Sequence, residues 1–281
     1  MELREFNWTA SDGTVLYGQE WKPDVSTQPV QGVVVLVHGL GEHSGRYHHV
    51  AQHLTRHGFS LFAFDLRGHG KTQGKRGHAP SFDVIVQDIE AVQNQAAKQY
   101  PGRPVFLYGH SLGGCLVLYY LMKRCPQVAG AVVTSPGLAP AVDPGPKVLL
   151  GKLLYSLWPD FTMPNGLDLP GISRDPAVYA AYRADELVHD RVSTRLGLDL
   201  LNAGRWIRDN ANSLPDSPVL LMVGTDDRLT DTQATVQFAQ STRAQVECIQ
   251  WPGCYHELHN EPEKAEVLDT ITQWLEARLS S

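Results

Sequence analysis

The run Gly109-His110-Ser111-Leu112-Gly113 follows the apolar segment Val105–Tyr108 directly and leads into the helical pattern Cys115–Met122. Glycines flanking a serine let a strand-to-helix turn close where a Cβ would strike backbone. The serine hydroxyl is then lifted clear of the strand, at the positive end of the following helix. The chemistry such a residue offers is nucleophilic attack with a covalent intermediate. A bare G-x-S-x-G carries little weight in a chain with 25 glycines; its strand–turn–helix setting carries the reading.

A serine nucleophile needs a base, and the base needs an acid to orient it. The run Val219–Val223 ends in Gly224-Thr225-Asp226-Asp227-Arg228-Leu229, and the run Val246–Trp251 leads into Cys254-Tyr255-His256-Glu257-Leu258-His259. Ser111, then an aspartate, then a histidine is the chain order used by one large class of serine enzymes. Order alone does not separate Asp227 from Asp226, nor His256 from His259. The two histidines are one residue too close for the zinc motif H-E-x-x-H. His49, His53 and His57 recur every four residues, with no matching carboxylate, and read as a solvated helix stripe. No metal and no cofactor are expected. His38 and His110 read as hydrogen-bonded structural residues. His38-Gly39-Leu40-Gly41 follows the strand-like run Val33–Val37, so the N–H groups of Leu40 and Leu112 are candidates to converge on a developing oxyanion.

Positioning these residues requires a parallel sheet. Val33–Val37, Leu61–Phe64, Val105–Tyr108, Ala131–Thr134 and Val219–Val223 are continuous apolar runs, as in strands buried on both faces. Between them lie amphipathic patterns, one with Tyr47, Val50, Ala51 and Leu54 on one face. Another carries Phe82, Ile85, Val86 and Ile89, with Ser81 as N-cap. Leu3–Trp8 and Val15–Trp21 alternate and predict an antiparallel lead-in hairpin or sheet edge. After Pro136 the strand pattern stops until about residue 213, leaving helical patterns at Lys147–Trp158, Pro176–Tyr182 and Thr194–Ile207. The expectation is an α/β core over 1–136 and 214–281, with a mostly parallel central sheet flanked by helices, and a helical cap over 137–213.

Composition narrows the partners. A formal charge of -6 excludes nucleic acid as the main partner, because phosphate binding needs clustered Lys and Arg. The first residues hold no apolar signal core, and Val33–Val37 and Cys115–Met122 are too short to span a bilayer. A cytoplasmic protein with free thiols at Cys115, Cys125, Cys248 and Cys254 is expected, open to transient contact with a lipid surface.

Several segments together closely resemble the monoacylglycerol lipases of the α/β-hydrolase fold. They are the run from His38 to Tyr47, Asp65-Leu66-Arg67-Gly68-His69-Gly70, Gly109–Gly114, Asp227-Arg228-Leu229 and Tyr255–His259. The resemblance spans roughly Glu2 to Leu275, more loosely in the cap. It implies Ser111, Asp227 and His256 as the triad and Leu40 and Leu112 as oxyanion donors. It also implies Glu42, Arg46, Tyr182 and His259 near the glycerol end of the substrate; the alternatives are Arg46 as a structural pair of Glu42 and His259 packed against its loop. The implied reaction is hydrolysis of a small lipid ester, monoacylglycerol. The apolar surface of the first cap helix (Val148 to Trp158) suits an acyl channel, contact with lipid or docking of the cap on the core. The alternatives are a lysophospholipase or broad carboxylesterase, and, more distantly, a non-catalytic hydrolase-like binding protein. Leu40 and Thr230 depart from some members, which carry a small residue and a cysteine there.

Overall fold

Alternate residues of the third strand leave for opposite cores, which dictates a sheet covered on both faces. Val33, Val35 and Val37 join one buried cluster, while Val34 and Leu36 join the other. The computed structural model describes the 281 residues except 25, 27–28, 143–144, 146–150, 152–153 and 280–281. Its main sheet has eight strands: β1 (Glu2–Thr9), β2 (Val15–Lys22), β3 (Gly32–Val37), β4 (Phe59–Phe64), β5 (Val105–His110), β6 (Gly130–Thr134), β9 (Val219–Gly224) and β10 (Val246–Trp251). Their spatial order is β1-β2-β4-β3-β5-β6-β9-β10. The pairs β1–β2 and β2–β4 are antiparallel, and every other neighbouring pair is parallel.

Register sets the floor of the site. Val37 pairs with Phe64 on one side and Gly109 on the other, His110 with Thr134, Thr134 with Met222, and Gly224 with Trp251. The strands' carboxyl ends therefore finish level, and the loops after β3, β5, β9 and β10 emerge along one edge, where such sheets build their sites. Helices α1 (His48–Arg56) and α7 (Lys264–Glu276) cover one face; α2 (Phe82–Gln99), α3 (Leu112–Arg124) and α6 (Thr232–Ser241) cover the other. Tyr47, Val50, Ala51 and Leu54 are all buried, and the Ser81 hydroxyl caps α2 by accepting from Val84 N–H at 3.2 Å, as the sequence predicts.

Two expectations change. The interval after Pro136 contains, besides α4 (Pro176–Ala184) and α5 (Thr194–Asp209), an antiparallel pair β7 (Thr162–Pro164) and β8 (Arg191–Ser193). Three residues per strand are too few to write a periodic signal. β2 does not alternate either: it lies inside the sheet between β1 and β4, and even Glu20 is buried, accepting from Arg4, Gln99 and Tyr100. Half of the predicted helix Lys147–Trp158 lies outside the described residues; residues 151 and 154–157 are helical. Within the interval α5 packs tightly on the chain just after β6, since a Cβ on Gly204 would stand 2.4 Å from the Leu138 carbonyl oxygen.

Burial drives the imidazoles of His38, His49, His53, His69, His78, His110, His189 and His259 below the ordinary histidine value, with His110 and His189 at about 4. His38 shows what neutrality secures. Its Nδ1–H donates to the Gly39 carbonyl at 2.8 Å, and its Nε2 accepts from Leu66 N–H at 2.9 Å, joining the ends of β3 and β4. The unfolded chain binds protons at these groups below about pH 6.5, whereas the folded chain takes them up only at lower pH. Stability is therefore complete above that value and drains as pH falls, and fully buried His110 alone accounts for on the order of 3 kcal/mol by pH 4. The thermal midpoint should fall by several degrees between pH 7 and pH 5, a window above the carboxylate range. A flat melting profile there would contradict this.

Candidate active site

Ser111 sits where β5 turns into α3, with φ 54° and ψ −115°, a conformation costly for a residue with a side chain. Three backbone bonds hold it: its N–H donates to Thr134 O at 3.0 Å, and its carbonyl accepts from Cys115 N–H at 3.0 Å and Gly137 N–H at 2.9 Å. Two glycines are required at this corner. A Cβ on Gly113 would lie 1.9 Å from Val37 O, and one on Gly109 would lie 2.4 Å from Gly113 O.

Asp227 and His256 meet, and their rivals stand apart. His256 Nδ1 lies 2.8 Å from Asp227 Oδ2, with both side chains almost wholly buried. Burial pulls the His256 imidazole down, but the charge and hydrogen bond of Asp227 outweigh it and hold it above its ordinary 6.5. Burial likewise pushes the Asp227 carboxyl up, and His256 together with the Thr230 and Leu229 N–H groups brings it below its usual range. Asp226 is exposed and accepts from the Thr225 hydroxyl instead. The His256 carbonyl is fixed by the Ser135 hydroxyl at 2.7 Å.

Ser111 and His256 line one small cavity of about 20 Å³ with Gly39, Leu40, Glu42, His110, Tyr182 and Glu257, roofed by Leu167, Leu169 and Ile172. A second cavity, of about 100 Å³, is almost wholly apolar. It is lined by Leu40, Ser111, Leu112, Gly137, Ala139, Pro140, Leu200, Leu201 and Thr230. Leu40, Ser111, Leu167 and Leu229 belong to both, so the serine stands at the junction of a mixed chamber that holds the polar groups (the polar chamber) and an almost wholly apolar one. Leu112 is the first residue of α3, where helix N–H groups have no intrahelical acceptor. In the loop after β3, Glu42 Oε1 accepts from Gly39 N–H at 2.6 Å, and the carbonyl of the peptide leading to Leu40, that of Gly39, accepts from His38 Nδ1–H at 2.8 Å.

Of the four residues expected near a glycerol head, the structure brings two to the polar chamber, Glu42 and Tyr182. Arg46 and His259 lie one layer behind it. Arg46 is consumed by Glu42 at 2.6 Å and by a fork onto Glu257 at 2.7 and 2.8 Å, with the Tyr182 ring 4.7 Å from its guanidinium. His259 is fully buried, stacked on Tyr47 at 4.8 Å and edge-on to His110 at 4.9 Å. Glu257 is the residue that sequence reasoning missed. It lines the chamber beside His256, and Arg46 holds its carboxyl well below the usual range despite burial. A single charged residue in an irregular loop carries no periodic signal; only the neighbouring histidine could have marked it.

The histidine stripe on α1 finds structural partners: His49 bonds the His259 carbonyl at 2.8 Å, His53 pairs with Asp269 and His57 with Glu276. Among the described residues one group, Cys254, Glu261 and Glu263, is close enough to share an ion. The Arg174 guanidinium already pairs with both of its carboxylates.

Residues 28–263 match the hydrolase family described as serine aminopeptidase, S33. Over 98% of its length the chain is 35% identical to the monoacylglycerol lipase of Mycolicibacterium smegmatis, covering 98% of that protein. It is 38% identical to an uncharacterized abhydrolase domain-containing protein of Dictyostelium discoideum, again over 98% of its own length, but spans only 29% of that relative. The solved monoacylglycerol lipase of Paleococcus ferrophilus has the same fold, with a TM-score of 0.84 at 34% identity, covering 99% of this chain and 100% of that one. With the likeness running through almost its whole length, the chain belongs to the monoacylglycerol lipase family of α/β-hydrolases, a family of serine ester hydrolases.

Proposed function

We propose that this enzyme hydrolyses monoacylglycerol to fatty acid and glycerol through an acyl-enzyme on Ser111. The observation that carries the reading is the position of Ser111 between two unlike chambers. An ester whose acyl chain enters the apolar side presents its alcohol to the polar side. Ser111 Oγ attacks the ester carbonyl carbon while His256 Nε2 takes the hydroxyl proton. The oxyanion that forms accepts from the N–H groups of Leu40 and Leu112, donors useful only once charge develops. Collapse expels the glycerol oxygen, protonated by His256, and a water activated by the same imidazole releases the fatty acid. Asp227 keeps the imidazole in the tautomer that accepts at Nε2 and stabilises the imidazolium.

A second reading, lysophospholipase, is disfavoured by charge and size. The polar chamber is small and carries two carboxylates, Glu42 and Glu257, which repel a phosphodiester and suit neutral hydroxyls. Glu42 and Tyr182 would face the glycerol, while Arg46 and His259 support them from behind. Residues 137–213 act as the cap, contributing the roof of the polar chamber and the Leu200–Leu201 wall of the apolar one. Leu157 and Trp158, 74% and 56% exposed, suit contact with a lipid aggregate. Among the described residues no helix is long and apolar enough to cross a membrane.

Ser111→Ala should abolish both ester turnover and labelling by a serine-directed phosphonate, with the fold intact by circular dichroism; turnover that survives would rule the acyl-enzyme out. Monoglycerides, lysophospholipids and short p-nitrophenyl esters should be compared as kcat/KM, with the first two at matched chain length. Monoglycerides should exceed lysophospholipids by at least roughly tenfold, the value of about 1.4 kcal/mol of discrimination; equal rates on all three classes would sink the assignment. Because His256 must be neutral to act as base, kcat/KM should fall as pH drops through a limb above 6.5. Asp227→Asn should lower kcat by on the order of 10⁴-fold and carry that limb to lower pH. A limb that stays where it was would mean that Asp227 does not set the basicity of His256.

A further inference from the structure

Thr230 is 7% exposed in the loop after β9, and its hydroxyl donates to Asp227 Oδ2 at 2.8 Å. That is the same oxygen that meets His256 Nδ1 at 2.8 Å. The other carboxylate oxygen, Oδ1, accepts from the N–H groups of Leu229 and Thr230 at 2.8 and 3.0 Å. The loop is pinned from outside as well. Asp231 N–H donates to Ala139 O at 2.9 Å, Ala141 N–H to Leu229 O at 3.1 Å, and Thr230 forms a bridge with Pro140. Thr230 also lines the apolar chamber beside Ser111. With its oxygen held by Asp227, the methyl group is what it has left to offer that chamber.

We infer that Thr230 is a positioning residue with two separable parts: its hydroxyl competes with His256 for Asp227 Oδ2 and so sets the basicity of the imidazole, and its methyl closes the acyl chamber. The inference rests on the proposed roles of Ser111, Asp227 and His256. Its physical basis is that negative charge on one oxygen is divided among the donors it serves. The threonine hydroxyl stabilises the Asp227 anion and thereby weakens the bond available to an imidazolium. Deleting the hydroxyl returns that charge to His256. The other charged or titratable groups facing His256 are Glu257 on its own loop, Glu42 from the loop after β3 and His110 at the end of β5, with Arg46 paired to both glutamates. All of them remain when Thr230 changes.

Thr230→Val and Thr230→Ala remove the hydroxyl, whereas Thr230→Ser keeps it and removes the methyl. The readouts are the pH dependence of kcat/KM on a short p-nitrophenyl ester and KM along a series of acyl lengths, with melting curves to establish that each variant is folded. Valine and alanine should move the acid limb up by about half a pH unit, a loss of roughly threefold below the limb relative to each variant's own plateau. Serine should leave the limb in place and raise KM for long-chain esters by about fourfold, the worth of one buried methyl. Should valine fail to fold, alanine carries the limb test. A limb that stays put or moves down in the hydroxyl-deleted variants overturns the inference, as does a serine limb displaced as far as theirs. Surviving turnover in Ser111→Ala would instead strike the proposed mechanism, so the two failures are distinguishable.

Discussion

The site hangs on one buried guanidinium. Arg46, with its side chain 9% exposed, lies between the carboxylates of Glu42 and Glu257, at 3% and 4%. Removing the guanidinium would strand two buried carboxylates, at a cost of roughly 3–5 kcal/mol. The bridge spans distance in the sheet. Glu42 follows β3 and Glu257 follows β10, and the strands β5, β6 and β9 lie between those two. Glu42 also holds Gly39 N–H and the Tyr47 hydroxyl, while Glu257 accepts from the Asn260 amide and is the next residue after His256. Through Arg46, the loop of the candidate oxyanion donor and the loop of the candidate base are parts of one rigid unit.

That rigidity is what a strained serine turn requires. Ser111 keeps a left-handed backbone only because Thr134, Cys115 and Gly137 over-determine it, and because Gly113 lets Val37 approach. The same close packing puts the residue at a boundary. Leu40 faces both chambers, so the loop of the candidate oxyanion donor also separates the two chambers. The strained turn and the separation of the two chambers are thus consequences of one local geometry.

Histidine shows how environment assigns roles to a single residue type. The His110 and His256 rings are 4.8 Å apart, yet burial drives the first down to about 4 while Asp227 lifts the second above its ordinary value. A carboxylate within hydrogen-bond reach decides the difference. Some of the neutral histidines act as hydrogen-bonded joints, as His38 does between β3 and β4. The cost of this use of histidine is sensitivity to acid, since every such joint resists protonation.

Much of this was legible in the sequence because it is local. Continuous β-branched runs announced buried parallel strands, glycines around Ser111 announced a turn too tight for a Cβ, and chain order put an aspartate and a histidine after it. Short-range periodicity is a property of neighbours in the chain, so it survives in one dimension. The three-residue strands β7 and β8 and the buried polar side of β2 left no such trace. What only the tertiary structure decided was pairing at a distance. It put Asp227 rather than Asp226 against His256, and Glu257 and Thr230 at the chambers. It also placed Arg46 and His259 one layer behind the polar chamber. The sequence determined which groups the chain possesses and which strand ends carry them. Their partners were decided by the level register of the sheet and by burial, because a buried charge or donor must find its complement wherever the fold brings one within reach.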